Sequence, residues 1–253
     1  MGQVVSMSMK KKLRFTERLR EGLIKSRPNR FIMEVELDGA LLKCHCPSTG
    51  RIGSIRFEDI PCLLSKATTE RKTPYTVEAI SLDPPGRGRK RWIGIDQTRA
   101  NDYVDFFLRQ GAFGDMLPGV SAVAREVKLG SSRIDFLING RDYLEAKMPL
   151  KDLPCEGHPK YIRRNDAPVD FERMVRHFSD VGDSIAGGSR AIFLLCYVFD
   201  APAFVVPPPD PRAERIVRAA RRAEERGVEH WQANFSIDPE GVSLTRYFRL
   251  RLF

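Results

Sequence analysis

The sequence predicts an α+β chain of two units, a small β-barrel followed by a mixed α/β layer domain. Three observations predict it. Up to about residue 95, short apolar alternations are separated by turn residues. From residue 96, helical and strand periodicities alternate. The charge divides at the same place: residues 1–95 hold 19 Lys and Arg against 10 Asp and Glu, and residues 96–253 hold 23 of each, so the net charge of +9 lies wholly in the first part. The expected organisation is a basic extension over 1–21, a barrel over 22–95 and the α/β domain over 96–253.

Within the first unit, "RFIMEVELDGALLKCHC" alternates around an Asp-Gly pair, a strong hairpin signal. "IPCLLSKA" and "YTVEAISL" follow as short strands, then the loop "DPPGRGRKR" and a last strand in "RWIGID". Short strands with turns between them suggest a barrel of the oligonucleotide-binding (OB) type, whose loops and one sheet face grip nucleic acid. A basic unit beside a neutral one fits a polyanion-binding module attached to a working domain, because neutralised phosphates supply most sequence-independent affinity. Arg51, Arg56, Arg71 and Lys72, with Arg87, Arg89, Lys90 and Arg91, are the candidate phosphate contacts. Phe57 and Trp92 read as packing aromatics.

Within the second unit, "NDYVDFFLRQG" places Val104, Phe107 and Leu108 on one helical face with Gly111 as its stop. "AVAREV", "SRIDFLI" and "RDYLEAK" are strands, "PVDFERMVRHFSDV" has helical spacing, and "RAIFLLCYVF" is a buried strand by its unbroken apolar run. A salt-bridged helix in "RAERIVRAARRAEER" ends before Gly227. The hydrophobic fraction of 42% supports a sizeable core, and no window reaches the 18 or more apolar residues of a membrane span. With five cysteines, an odd number, and no secretory apolar segment, reduced thiols and a cytoplasmic protein are expected. Cys44 and Cys46 share one strand face with His45 on the other, and no second ligand pair has zinc spacing.

The chemistry concentrates in "SSRIDFLINGRDYLEAK". Ile134, Phe136 and Ile138 define the apolar side of one strand and Leu144 and Ala146 that of the next, leaving Asp135, Glu145 and Lys147 on the opposite sides. Both apolar sets meet one core only if residues of equal parity pair. A three-residue loop, Ile138-Asn139-Gly140, achieves this, setting Asp135 opposite Tyr143 and Arg133 opposite Glu145. Asp135 and Glu145 then lie diagonally on one face, with Lys147 beyond. Two carboxylates beside an amine suit Mg²⁺ or Mn²⁺ and phosphodiester hydrolysis, since such ions take oxygen ligands and lower the pKa of bound water. Glu126 is a further metal-ligand candidate that could equally pair with Lys128 or Arg133, and Arg133 joins the phosphate contacts. Nucleic acid, DNA before RNA, is the expected partner, with a homodimer left open.

The segments "NRFIMEVELDG", "HCPSTG", "RKTPYTVEAI", "WIGID", "AREVKLGSSRIDFLI" and "YLEAK" together resemble the sugar fermentation stimulation protein A family over roughly residues 22–235. The resemblance implies an OB-like N-terminal domain and a C-terminal domain of the PD-(D/E)xK nuclease fold. It further implies DNA binding, and a metal-dependent nuclease site at Asp135, Glu145 and Lys147. Arg173 and His177 stand at supporting positions. The chain departs from the family pattern at Ser48, at Met148-Pro149-Leu150 and in "RMVRH", where a glutamine is lost. The region 148–168 fits the family poorly and is expected to be a mobile loop near the substrate, with Arg163 and Arg164 facing phosphate. The alternative reading is a DNA-binding regulator of sugar-utilisation genes without catalysis.

Overall fold

The computed structural model describes residues 11–253 except 131, 152, 163–181, 183–188 and 207–213. The helix expected in "PVDFERMVRHFSDV", together with Arg163, Arg164, Arg173 and His177, lies outside the described residues.

The first unit is a closed five-stranded barrel. Its strands are β2 (Arg20–Asn29), β3 (Ile32–Leu37), β4 (Ala40–His45), β5 (Ile60–Lys66) and β6 (Tyr75–Ile80), in the order β4-β3-β2-β5-β6. A parallel pairing at His45↔Thr76 joins β4 to β6, and β7 (Ile93–Gly94) adds to β6. Asp38 and Gly39 form the expected β3–β4 turn, with φ of 51° and 80°, the two left-handed residues that match the twist of a two-residue hairpin. Cys44 and Cys46 point into the core, and all five cysteines are buried thiols. The strand β2 was not foreseen. Its sequence is polar, contains Pro28, is bulged on both sides of Ser26, and only Ile24 is fully buried.

The second unit is a seven-stranded sheet. Its strands are β1 (Lys12–Arg14), β8 (Val123–Leu129), β9 (Ser132–Ile138), β10 (Asp142–Lys147), β11 (Ala191–Tyr197), β12 (Glu229–Asp238) and β13 (Gly241–Leu250), in the order β1-β13-β12-β11-β10-β9-β8. The β10–β11 and β11–β12 pairs are parallel and the others antiparallel. The helix α1 (Ala100–Arg109) buries Tyr103, Val104, Phe107 and Leu108, and Phe107 lies 5.7 Å from Phe235 of β12. On the other face, Ala220 and Ala223 of α2 (Glu214–Glu225) pack with Ala191 and Phe193. A strand covered on both sides must be apolar throughout, which is why β11 reads as an unbroken run.

The two units share one core. A single cluster of buried side chains runs from Ile24 and Val35 in the barrel to Phe235 and Leu244 in the sheet, and Gly94 N–H donates to Val198 O at 2.9 Å across the junction. Residues 12–14 form the edge strand β1 on β13, and Leu19 N–H donates to Pro239 O at 2.8 Å. The segment after β10 is not a loose loop in its described part. Leu150, Leu153 and Cys155 are buried, Leu150 O accepts from Gly53 N–H at 2.6 Å, Lys160 O from Arg56 N–H at 2.9 Å, and Ile162 N–H donates to Ser54 O at 2.9 Å. This chain leads directly from Lys147 onto the barrel loop 52–58.

Candidate functional site

The hairpin β9–β10 pairs Ile138↔Asp142, Leu137↔Tyr143 and Phe136↔Leu144. Residues of equal parity pair, as the apolar pattern requires, but the loop is Asn139-Gly140-Arg141 rather than Ile138-Asn139-Gly140. Asn139 and Gly140 both have positive φ, 53° and 68°, and Arg141 N–H closes the turn on Ile138 O at 3.0 Å. The Asn139 side chain holds the loop in place, its Oδ1 accepting from the backbone of Ser121 at 2.9 Å and Ala122 at 3.0 Å. Moving the loop by one residue moves the pairing by two. On the β10 side, Asp135 and Glu145 follow Phe136↔Leu144 as the next positions in register instead of diagonal ones, and Arg133 no longer falls opposite Glu145; on the other edge of β9, Arg133 pairs with Lys128 of β8.

At that point the carboxylates take over backbone hydrogen bonds. Asp135 Oδ2 accepts from Ala146 N–H at 2.9 Å, and Glu145 Oε2 from Asp135 N–H at 3.3 Å. Lys147 Nζ, one side-chain step along the same strand face, pairs with Glu145 Oε1. Asn101, in the first turn of α1, donates Nδ2 to Asp135 Oδ1 at 2.8 Å. Glu145 is 1% exposed. Burial and then the neighbouring Glu145 push the Asp135 carboxyl above the usual carboxylate range, against Lys147, Ala146 N–H and Asn101, which favour its charge. Such a pair, desolvated and of like charge, is a place where a dication relieves repulsion. Asn101 had no motif to announce it, and only the packing of α1 brings it to the hairpin.

Glu126 is not brought into this group. Its backbone is left-handed (φ 57°), its side chain is exposed, and it pairs with Arg133 Nη1 at 3.7 Å. Among the described residues no third His, Cys, Asp or Glu completes a ligand set. The residues that fit a dication are thus Asp135 and Glu145, with remaining positions for water and phosphate oxygens.

The expected phosphate contacts separate into two sets. Arg87 and Arg91 bind the buried Asp83 at 2.9 and 2.7 Å, which draws its carboxyl down to about 2, and Lys90 pairs with Glu21 at 2.6 Å. Arg71 spans its own loop to Thr73 O and Thr76 Oγ1, while Lys72 and Arg89 are exposed. Arg51 and Arg56 line a groove of about 650 Å³ together with Lys25, Arg27, Arg30 and Phe57. Arg27 is its fixed element: Nη2 donates to Ser48 O at 2.8 Å, its guanidinium lies 5.7 Å from the Phe57 ring centroid, and its buried Nε has no partner among the described residues. Phe57 is half-buried at this groove, and Trp92 packs against the core. Lys25, Arg27 and Arg30 sit in β2 and the turn after it, the strand that the sequence pattern concealed.

Fold and site define a class: an OB-type barrel joined through a common core to a mixed sheet whose central hairpin carries two facing carboxylates and a lysine. The family model for the SfsA N-terminal OB domain matches residues 26–95, and that for the sugar fermentation stimulation protein RE domain matches residues 98–241. The chain belongs to the sugar fermentation stimulation protein family. A homolog from Methylobacterium sp. (strain 4-46) is 32% identical, the match covering 92% of this chain and 95% of that one. One from Synechococcus sp. (strain JA-2-3B'a(2-13)) is 31% identical over 90% and 92%. The solved structure of Pyrococcus furiosus SfsA in complex with Ca²⁺ matches with a TM-score of 0.72 at 20% identity, over 97% of this chain and all of that one, and so shares the fold. No helix among the described residues is long and apolar enough to cross a membrane.

Proposed function

We propose that this protein binds nucleic acid, DNA foremost, through the barrel and hydrolyses phosphodiester bonds at Asp135, Glu145 and Lys147, as a PD-(D/E)xK-type nuclease. The observation that carries the reading is the facing carboxylate pair with an amine one step away. A phosphate-binding protein gains nothing from two buried like charges at its centre unless a cation joins them. Mg²⁺ or Mn²⁺, held between Asp135 and Glu145, would supply charge neutralisation and an acidified water. The Pyrococcus furiosus relative was solved with Ca²⁺, another oxygen-seeking dication.

The chain's own groups have distinct parts. Asn101 and Ala146 N–H fix both oxygens of Asp135, so that its lone pairs keep one direction. Lys147 exchanges Glu145 for the phosphoryl oxygens and offsets their charge as the bond breaks. The described part of the segment 148–162 ties the strand that carries Lys147 to the loop 52–58 bordering the cationic groove, so the groove and the hairpin are held by one stretch of backbone.

The test is degradation of labelled single- and double-stranded DNA and RNA with Mg²⁺, Mn²⁺ or EDTA, comparing wild type with Glu145→Gln and Lys147→Ala. Metal-dependent cutting lost in both variants is expected. Salt-sensitive binding without cutting under any metal would refute the nuclease and leave a DNA-binding regulator. The Lys147–Glu145 pair, which occupies the amine internally, favours that second reading.

A further inference from the structure

A second polar cavity, of about 300 Å³, lies where the end of β4, the loop 66–71, β6 and the turn Asp96–Arg99 meet. It is distinct from the carboxylate hairpin. Arg99 lines it while Asn101 reaches Asp135, and residues two apart at a helix start point in different directions. Glu78 belongs to its wall and is 1% exposed. Ser65 Oγ and Arg99 Nη2 hold Glu78 Oε1 at 2.5 and 3.2 Å, whereas Oε2 has no partner among the described residues. A buried carboxylate oxygen without a donor is costly and calls for a ligand group that supplies one. Arg99 is taken up by Glu78, and Asp96 is the second carboxylate of the lining; Lys66 and Arg71 are the remaining cations, together on the side of the loop 66–71, so the ligand is anionic at that end. Thr68, Thr76 and other hydroxyls line the space between. The volume is at the lower bound of small-molecule sites, about 300 Å³, which is room for one such molecule.

We infer that this cavity takes a single nucleotide, free or flipped from a strand, whose base donates an exocyclic N–H to Glu78 and whose phosphate lies against Arg71 and Lys66. The inference rests on the nucleic-acid reading for the class of ligand and is independent of cutting.

Isothermal titration calorimetry on the full chain in EDTA, where no metal can recruit phosphate to Asp135 and Glu145, tests it with CMP, AMP, UMP and inorganic phosphate. CMP and AMP are expected to bind on the order of tenfold more tightly than UMP, whose ring N–H is flanked by two carbonyl oxygens, and than phosphate. Glu78→Gln should remove that preference, and Arg71→Ala, an exposed residue whose loss leaves the core intact, should weaken CMP and AMP alike. Asp135→Asn should bind CMP as wild type does. No saturable heat, equal affinity for UMP and CMP, or loss of CMP binding in Asp135→Asn would each overturn the inference. Failure of the cleavage assay would bear on the hairpin alone.

Discussion

Asn101→Ala is the most informative single change, because Asn101 lies outside the hairpin and the buried core of α1, and its loss removes one donor from the central carboxylate. The bond lost is Asn101 Nδ2 to Asp135 Oδ1, 2.8 Å long. A hydrogen bond to a charged acceptor contributes about 1.5–3 kcal/mol. At about 1.4 kcal/mol per decade of rate, cutting should fall between about 10- and 150-fold if Asp135 must be held in one orientation. The sign of the pH effect follows from the same contact. Burial and Glu145 raise the Asp135 carboxyl, and Asn101 is one of three groups that lower it, so its removal raises the carboxyl further. The ionised form is the ligand; the acid limb of the rate profile should therefore move to higher pH, with a larger deficit near about pH 6 than near about pH 8. Cleavage rates across pH and Mn²⁺ titration calorimetry at both values measure it. An equal deficit at both pH values, with metal affinity unchanged, would refute the role given to Asn101.

Three other outcomes are expected. Arg30→Ala and Arg56→Ala should each weaken DNA binding regardless of sequence and reduce the salt slope by about one, whereas Arg91→Ala, tied to Asp83, should leave the slope unchanged in a salt titration by fluorescence anisotropy. Burial lowers His230 from 6.5 to about 4, so it stays neutral in the fold; its share of stability is complete above about pH 6.5 and lost as pH falls toward 4, up to about 3 kcal/mol. Urea unfolding at pH 7 and 4.5 should show a smaller drop in His230→Gln than in wild type, and equal drops would contradict it. Gly241→Ala would set a Cβ 2.2 Å from Leu13 O, so β1 should detach and limited proteolysis should cut near residues 12–18 faster than in wild type, an outcome that an unchanged digestion pattern would exclude.

What was legible followed from periodicity, and what was not followed from tertiary exceptions to it. The Asp38-Gly39 hairpin, α1 with its stop at Gly111, and the buried strand β11 are each dictated locally, and each is present. The second hairpin of the sheet, β12–β13, escaped because Gln232 and Asn234 occupy fully buried positions where an apolar residue was expected. They are affordable there because Gln232 Nε2 donates to Pro202 O at 2.8 Å and Asn234 Nδ2 to Ala201 O at 2.6 Å, bonds that no local pattern encodes. At the site, parity alone put Asp135, Glu145 and Lys147 on one face. The exact facing of the two acids depended on Asn139, whose side chain is fixed by Ser121 and Ala122 eighteen and seventeen residues away. A loop position set by so distant a segment cannot be read from the loop.

The charge of the barrel carries the same lesson to function. Net charge counts cations, but affinity for a polyanion depends on cations that are not already neutralised inside the fold. The cluster 87–91 is the densest run of basic residues among the candidate phosphate contacts, yet Asp83 and Glu21 hold three of its four basic residues, and their work is to fasten the loop before β7. Arg56, singled out by the sequence, and Arg30, which was not, share a groove because the turn after β2 and the loop 49–58 close on each other, with Arg27 anchored there to Ser48 O. Fixing a guanidinium on a backbone carbonyl removes rotamer freedom before any ligand arrives, so less is lost on binding. The cationic groove is therefore narrower than the composition suggests and better organised, and it borders the segment that descends from Lys147.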